Sequence, residues 1–125
     1  DSSTSRGLGD VYKRQVMEEQ IREKEAARIL KHIREEAYIF SLEIKGSKPD
    51  SVSFANQLDQ LAVQGKSHIQ FIIGGSLGLH QSVSKAANQS ISFSNMTFPH
   101  QLMRVILLEQ IYRGYRIIKK EPYHK

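Results

Sequence analysis

The chain has no cysteine among its 125 residues, which excludes disulfides, thiolate zinc sites and a cysteine nucleophile. No apolar run approaches the roughly 20 residues of a membrane span, and no signal-peptide pattern opens the sequence, so a cytoplasmic protein with no membrane partner is expected. The histidines, His32, His68, His80, His100 and His124, are scattered. None forms an HxxxH or HExxH pair, so no metal is expected. The glycines in residues 74–80 (GGSLGLH) fit neither GxGxxG nor a phosphate loop with its GK[ST], which leaves a dinucleotide or triphosphate site unsupported.

Hydrophobic residues make up 39% of the chain, enough at this length for one domain with a single core. The formal net charge is +5 and the pI about 9.6, close to the range in which nucleic acid is a natural partner. Charge alone is weak evidence, since many basic proteins bind no nucleic acid.

Residues 1–15 (DSSTSRGLGDVYKRQ) are polar, contain glycine and show no period, and they read as a disordered lead. The string GLGDVYKRQ also resembles translated adapter sequence, in which case it is not native and the true N-terminus is lost. From residue 16 to about 34, Met17, Ile21, Ile29, Leu30 and Ile33 recur at helical spacing among charges. Residues 37–44 (AYIFSLEI) predict a strand closed by Lys45 and Gly46. Ser51 or Ser53 is expected to cap a helix through about residue 64, with Phe54, Leu58, Leu61 and Ala62 on one face and Gly65 ending it. Residues 68–73 predict a second strand, apolar enough to be covered on both faces. A short helix over 81–88, a brief strand over 90–93 and a long helix over 101–119 complete the order. Strands alternating with helices imply an α/β fold with a parallel sheet. Three strands are few for such a fold, and further strands on the N-terminal side are expected.

The last helix carries an apolar stripe too wide for one sheet face. Burial in the core or burial against a twin subunit would explain it, and the second is preferred. On its other side Glu109, Arg113, Arg116 and Lys120 share a face. With Tyr112, Tyr115 and Tyr123 nearby, that stripe suits phosphate contact and base stacking. It equally suits a solvated face with cations near the helix C-terminus.

Ligands of open parallel sheets bind beyond the carboxyl ends of the strands. Here those ends are residues 42–46, 74–78 and 93–98, and their convergence would form one crevice. His100, after Pro99, is expected to be a capping or structural residue.

The segments GGSLGLH and SISFSNMTFPHQLMRVILLEQIYRGYRI and the closing PYHK together resemble the RlmH family of SPOUT-class RNA methyltransferases. The resemblance spans residues 16–125, the expected methyltransferase domain. It implies a parallel-sheet α/β SPOUT fold with a C-terminal trefoil knot, without the N-terminal strands that the family has ahead of this point. It implies methylation of N3 of a pseudouridine in large-subunit (23S) ribosomal RNA, on the assembled ribosome, by a homodimer using S-adenosyl-L-methionine. Carried over by motif, Leu42, Gly74, Phe93, Ser94, Asn95, Met96, Thr97 and Phe98 would hold the cofactor. Arg104, Tyr123 and His124 would complete the catalytic pocket. Two other readings stay open: a catalytically inactive fragment, and a basic RNA-binding module with no enzymatic activity.

Overall fold

A computed structural model describes residues 2–75 and 77–125, with side chains from residue 9 onward. Asp1 of the expected lead and Ser76 of the glycine loop lie outside the described residues. The elements are α1 (Ser2–His32), β1 (Tyr38–Ser47), α2 (Ser51–Val63), β2 (Ile69–Ile73), α3 (Gln81–Ala86), β3 (Gln89–Ile91) and α4 (His100–Ile118). The three strands pair in parallel in the order β2-β1-β3, as the alternation of strands and helices implied.

Period-two alternation along β1 sends its side chains to opposite faces of the sheet. Ile39 joins Ile72, Val83 and Ala26 beneath α1 and α3. Phe40 joins Phe54, Leu58, Leu61 and Ile91 beneath α2 and α4. Phe40 is fully buried, stacked on Phe71 at 5.0 Å and edge-on to Phe54 at 6.4 Å. Full burial of such a side chain stabilises by about 1.5–3 kcal/mol. Gly114 of α4 lies against Ala55 and Leu58, where an added Cβ would come within 3.3 Å of Leu58. A small residue at this crossing lets the two helix backbones approach closely.

Several local expectations need correction. Residues 2–15, expected to be a disordered lead, continue α1 as helix, although Gly9 through Met17 remain exposed. The cap of α2 is Asp50, whose Oδ1 accepts from the Ser53 N–H at 2.7 Å, in place of Ser51 or Ser53. Gly65 does end α2, with a left-handed φ of 84°, as C-terminal glycines do. Ala62 is exposed, and Ala55 takes its place on the buried face. β2 sits at the sheet edge, yet Ile72 is buried in the core beneath α1 and α3 while Ile69 and Phe71 pack half-buried against the core beneath α2 and α4, so its apolar run does meet cover on both faces. Lys45 and Gly46 do not close β1. The strand shifts register after Leu42 and runs on to Ser47, which pairs with Ile91 and accepts from the Ser92 N–H at 2.7 Å.

Only Leu107 and Gly114 of α4 are buried. Leu102, Val105, Leu108, Tyr112 and Tyr115 are exposed. Core burial thus accounts for one flank of the wide stripe and leaves the other uncovered.

Candidate functional site: a cavity at the strand ends

The carboxyl ends of all three strands open on one side of the sheet, and the segments that leave them enclose a cavity of about 1080 Å³. From β1 come Leu42 to Lys45, from β2 the glycine loop, and from β3 the serine-rich loop that leads into the first turn of α4. These segments are distant in sequence. Parallel pairing alone brings them together.

Each loop is shaped by its own residues. An added Cβ on Gly74 would lie 2.9 Å from the Leu79 side chain, so only glycine lets the chain turn there without moving the wall. Gly78 has a φ of 83° and donates its N–H to the Gly75 carbonyl at 3.0 Å, closing the turn. Helix α1 braces this loop from outside. Glu25 Oε1 accepts the Gly75 N–H at 3.2 Å, and Arg22 Nη1 donates to the Leu77 carbonyl at 3.4 Å. In the β3 loop, the Ser92 hydroxyl donates to the Ser94 carbonyl at 2.8 Å, and Ser94 Oγ accepts the Met96 N–H at 2.9 Å. Such short serine turns fix a loop without regular structure.

Of the positions assigned to the cofactor, Leu42, Gly74, Phe93, Ser94, Met96, Thr97 and Phe98 line the cavity. Asn95 is exposed and outside the lining. His100 does not cap α4, whose N-cap Pro99 makes no side-chain bond; it lies on the cavity wall.

The three assigned catalytic residues lie elsewhere. Arg104 is exposed on α4 and outside the lining. Tyr123 folds back edge-on to Tyr112 at 5.0 Å, under the Arg113 guanidinium at 4.9 Å. His124 Nδ1 stands 3.0 Å from Arg113 Nη1. As guanidinium only donates, Nδ1 accepts, which leaves the proton on Nε2. The 19-residue α4, about 28 Å long at 1.5 Å per residue, separates this tail from the cavity within one chain. The basic stripe is partly engaged internally, since Arg113 pairs with Glu109 at 2.8 Å and Arg116 with Glu121.

Sequence reasoning placed Glu43 at a strand end, within residues 42–46, but gave it no role. Glu43 lines the cavity, and its carboxylate takes hydroxyl bonds from Ser41 (2.7 Å), Ser90 (2.8 Å) and Ser84 (2.7 Å) on the cavity's border. Burial pushes its pKa up, but the three hydroxyls together outweigh that and hold the group below the ordinary glutamate value. The available signal was Ser41 and Glu43 at alternate positions of a strand otherwise built from aromatic and branched residues. Arg22 and Lys45, also in the lining, had no comparable signal.

Away from the cavity, Glu19, Glu23 and His80 bring potential ligand atoms within 4.8 Å of one another, a proximity that sequence spacing did not suggest. His80 Nδ1 accepts the Ser82 N–H at 3.1 Å, capping α3, and Nε2 lies 2.9 Å from Glu19. Nε2 therefore carries the proton and donates to Glu19.

With this geometry established, comparison with known proteins becomes specific. The family described as "Predicted SPOUT methyltransferase" matches residues 7–124. The chain belongs to the SPOUT methyltransferase family. Relatives named "Ribosomal RNA large subunit methyltransferase H" include one from Enterococcus faecalis, 54% identical over 106 residues, covering 85% of this chain and 67% of the relative. Another, from Bifidobacterium adolescentis, is 56% identical over 109 residues, covering 87% of this chain and 69% of the relative. A third, from Bifidobacterium animalis subsp. lactis, is 57% identical over 106 residues, with 85% and 67% covered. The chain thus spans about two thirds of the length of these SPOUT methyltransferases. The match begins inside the segment read as a lead, as α1 does.

Proposed function

We propose that this SPOUT methyltransferase transfers a methyl group from S-adenosyl-L-methionine to N3 of a pseudouridine in large-subunit ribosomal RNA, with the assembled ribosome as substrate and a homodimer as the active form. The observation that carries this reading is the closure of one cavity by three separate strand ends, lined by all but Asn95 of the assigned cofactor positions. Its volume suits a ligand of nucleoside size or larger. Gly74 keeps the wall thin, and Glu43 supplies a negative charge suited to a cationic cofactor.

When bound, S-adenosylmethionine supplies an electrophilic methyl group on a positively charged sulfur. The chain's own residues have two tasks. The glycine and serine loops, stiffened by their internal hydrogen bonds, hold the reactants in line, and such positioning is a large part of enzymatic acceleration. The catalytic trio deals with the proton on the ring nitrogen, whose anion is the competent nucleophile. His124 would accept that proton, or Arg104 would stabilise the anion. The Arg113 to His124 contact, with the His124 proton on Nε2, favours the route through Arg104.

Reach supports the dimer. The tail of one chain lies a helix length from its own cavity, while the exposed residues Leu102, Val105, Leu108, Tyr112 and Tyr115 give α4 an apolar face for a second copy. A partner seated there would bring its Tyr123 and His124 to this cavity. The C-terminal trefoil knot belongs to the same proposal and rests on the family resemblance.

Deleting residues 123–125 tests the assignment. Methyl transfer to ribosomes should be abolished, with the dimer and cofactor affinity unchanged. Full activity of the shortened chain would remove the tail from the site. RNA binding by the intact chain with no affinity for S-adenosylmethionine would instead support a simple RNA-binding module.

A further inference from the structure

Glu43 stands out among the ionisable groups of the cavity. It is the one acidic residue among the described residues that line the cavity, and it makes no ion pair among the described residues. Its neighbours are hydroxyls from three elements: Ser41 of β1, Ser84 of α3 and Ser90 of β3. Ser41 is fully buried, and its Oγ lies 2.8 Å from Ser90 Oγ. Both carboxylate oxygens are therefore fixed, and the group cannot swing away to water as a surface glutamate does.

A half-buried negative charge held by neutral donors, with no cation beside it, keeps its attraction for whatever enters the cavity. The cationic residues of the lining do not cancel it. Arg22 is bonded to Glu19 at 2.8 Å and to the Leu77 carbonyl, and Lys45 is exposed. We propose that Glu43 is a specificity-determining residue of the cavity, whose carboxylate, fixed by Ser41, Ser84 and Ser90, selects the cationic sulfonium form of the cofactor over its neutral thioether product. This inference rests on the cofactor reading above.

The reaction makes the selection useful. As the C–S bond breaks and the N–C bond forms, the bond's electron pair stays on sulfur, which becomes a neutral thioether, while the ring-nitrogen anion becomes a neutral methylated base. The attraction to Glu43 exists before transfer and not after it, so the carboxylate favours loading of the cofactor and release of the product. A unit charge several ångströms away in a partly hydrated cavity is worth on the order of ten-fold in affinity.

Calorimetric titration of the full chain with S-adenosylmethionine and with S-adenosylhomocysteine provides the test, for wild type, Glu43→Gln and Glu43→Asp. Glutamine should weaken S-adenosylmethionine binding about ten-fold and leave S-adenosylhomocysteine within two-fold of wild type. Aspartate, which keeps the charge, should retain the wild-type preference for the sulfonium. Equal weakening of both ligands by Glu43→Gln would place the carboxylate near the amino group they share and overturn the proposal. So would an unchanged ratio in both variants. Wild type that binds neither ligand would instead refute the cofactor reading itself.

Discussion

Replacing Gly46 with alanine should both unfold the chain more easily and damage the cavity. A Cβ built on Gly46 lies 2.7 Å from Ile91 C, Ile91 N and Ser90 C. All three atoms are backbone, so no side chain can rotate to make room. To reach ordinary contact, β1 and β3 must separate by about 0.7 Å at a point where Ser92 N donates to the Ser47 carbonyl at 2.7 Å and Ile91 is fully buried. Overpacking costs about 1–3 kcal/mol, and a clash between two backbones belongs at the upper end. At about 4 °C per kcal/mol for a chain of this size, the melting temperature should fall by roughly 8–12 °C. The segment that follows β3 carries the cavity residues from Ser92 to Phe98, so affinity for S-adenosylmethionine should fall too. Gly9→Ala is the internal control. Gly9 has nothing within 4 Å and lies in the exposed part of α1, where alanine should stabilise by up to about 1 kcal/mol. Thermal unfolding followed by circular dichroism reads both. A Gly46→Ala melting temperature within 2 °C of wild type would show that the close approach of β1 and β3 does not constrain position 46.

Three further outcomes are expected. Because the Glu43 pKa lies below its ordinary value in the folded chain, its contribution to stability is complete above the unfolded-state value of about 4.3 and is lost as pH falls through the folded-state value. Urea midpoints measured from pH 7 to pH 3 should therefore fall more steeply below about pH 4.3 for wild type than for Glu43→Gln; parallel curves would contradict the hydroxyl cage. Gly74→Ala should weaken S-adenosylmethionine binding at least five-fold at a smaller cost in melting temperature than Gly46→Ala, since Leu79 at 2.9 Å is a side chain that can yield into the cavity and the Gly78 backbone carbon at 3.1 Å need give only a few tenths of an ångström; unchanged affinity would detach Gly74 from the site. Leu108→Asp, at a position 63% exposed, should leave the monomer folded but abolish the dimer in analytical ultracentrifugation, and a dimer that persists would move the interface off this face of α4.

What the sequence made legible follows from how local each signal is. The apolar run before GGSLG and the polar FSNMTF segment are each continuous in sequence, and a parallel sheet leaves such loops at one end, so the cavity could be read before its geometry was seen. The cap of α2 was ambiguous because Asp50, Ser51 and Ser53 all suit the role; only the Ser53 N–H to Asp50 bond separates them. The extension of β1 to Ser47 depends on β3 passing over Gly46, a contact between residues more than forty positions apart. The serine cage of Glu43 joins three elements in the same way, and single-segment patterns carry no trace of it. The helix before residue 16 eluded the reading because residues 9–15, the part with described side chains, are exposed and bury no stripe to set a period. The tail was assigned by resemblance alone, and its place beside Tyr112 and Arg113 could not be read from spacing.

The central claim is methyl transfer at the strand-end cavity. Ribosomes that lack the modification, incubated with the intact chain and methyl-labelled S-adenosylmethionine, test it most directly when the large-subunit RNA is then analysed by mass spectrometry. The account predicts one added methyl group, on N3 of a single pseudouridine, in amounts that fall with Gly74→Ala. A chain that is dimeric and binds S-adenosylmethionine, yet leaves the large-subunit RNA unlabelled, would contradict it.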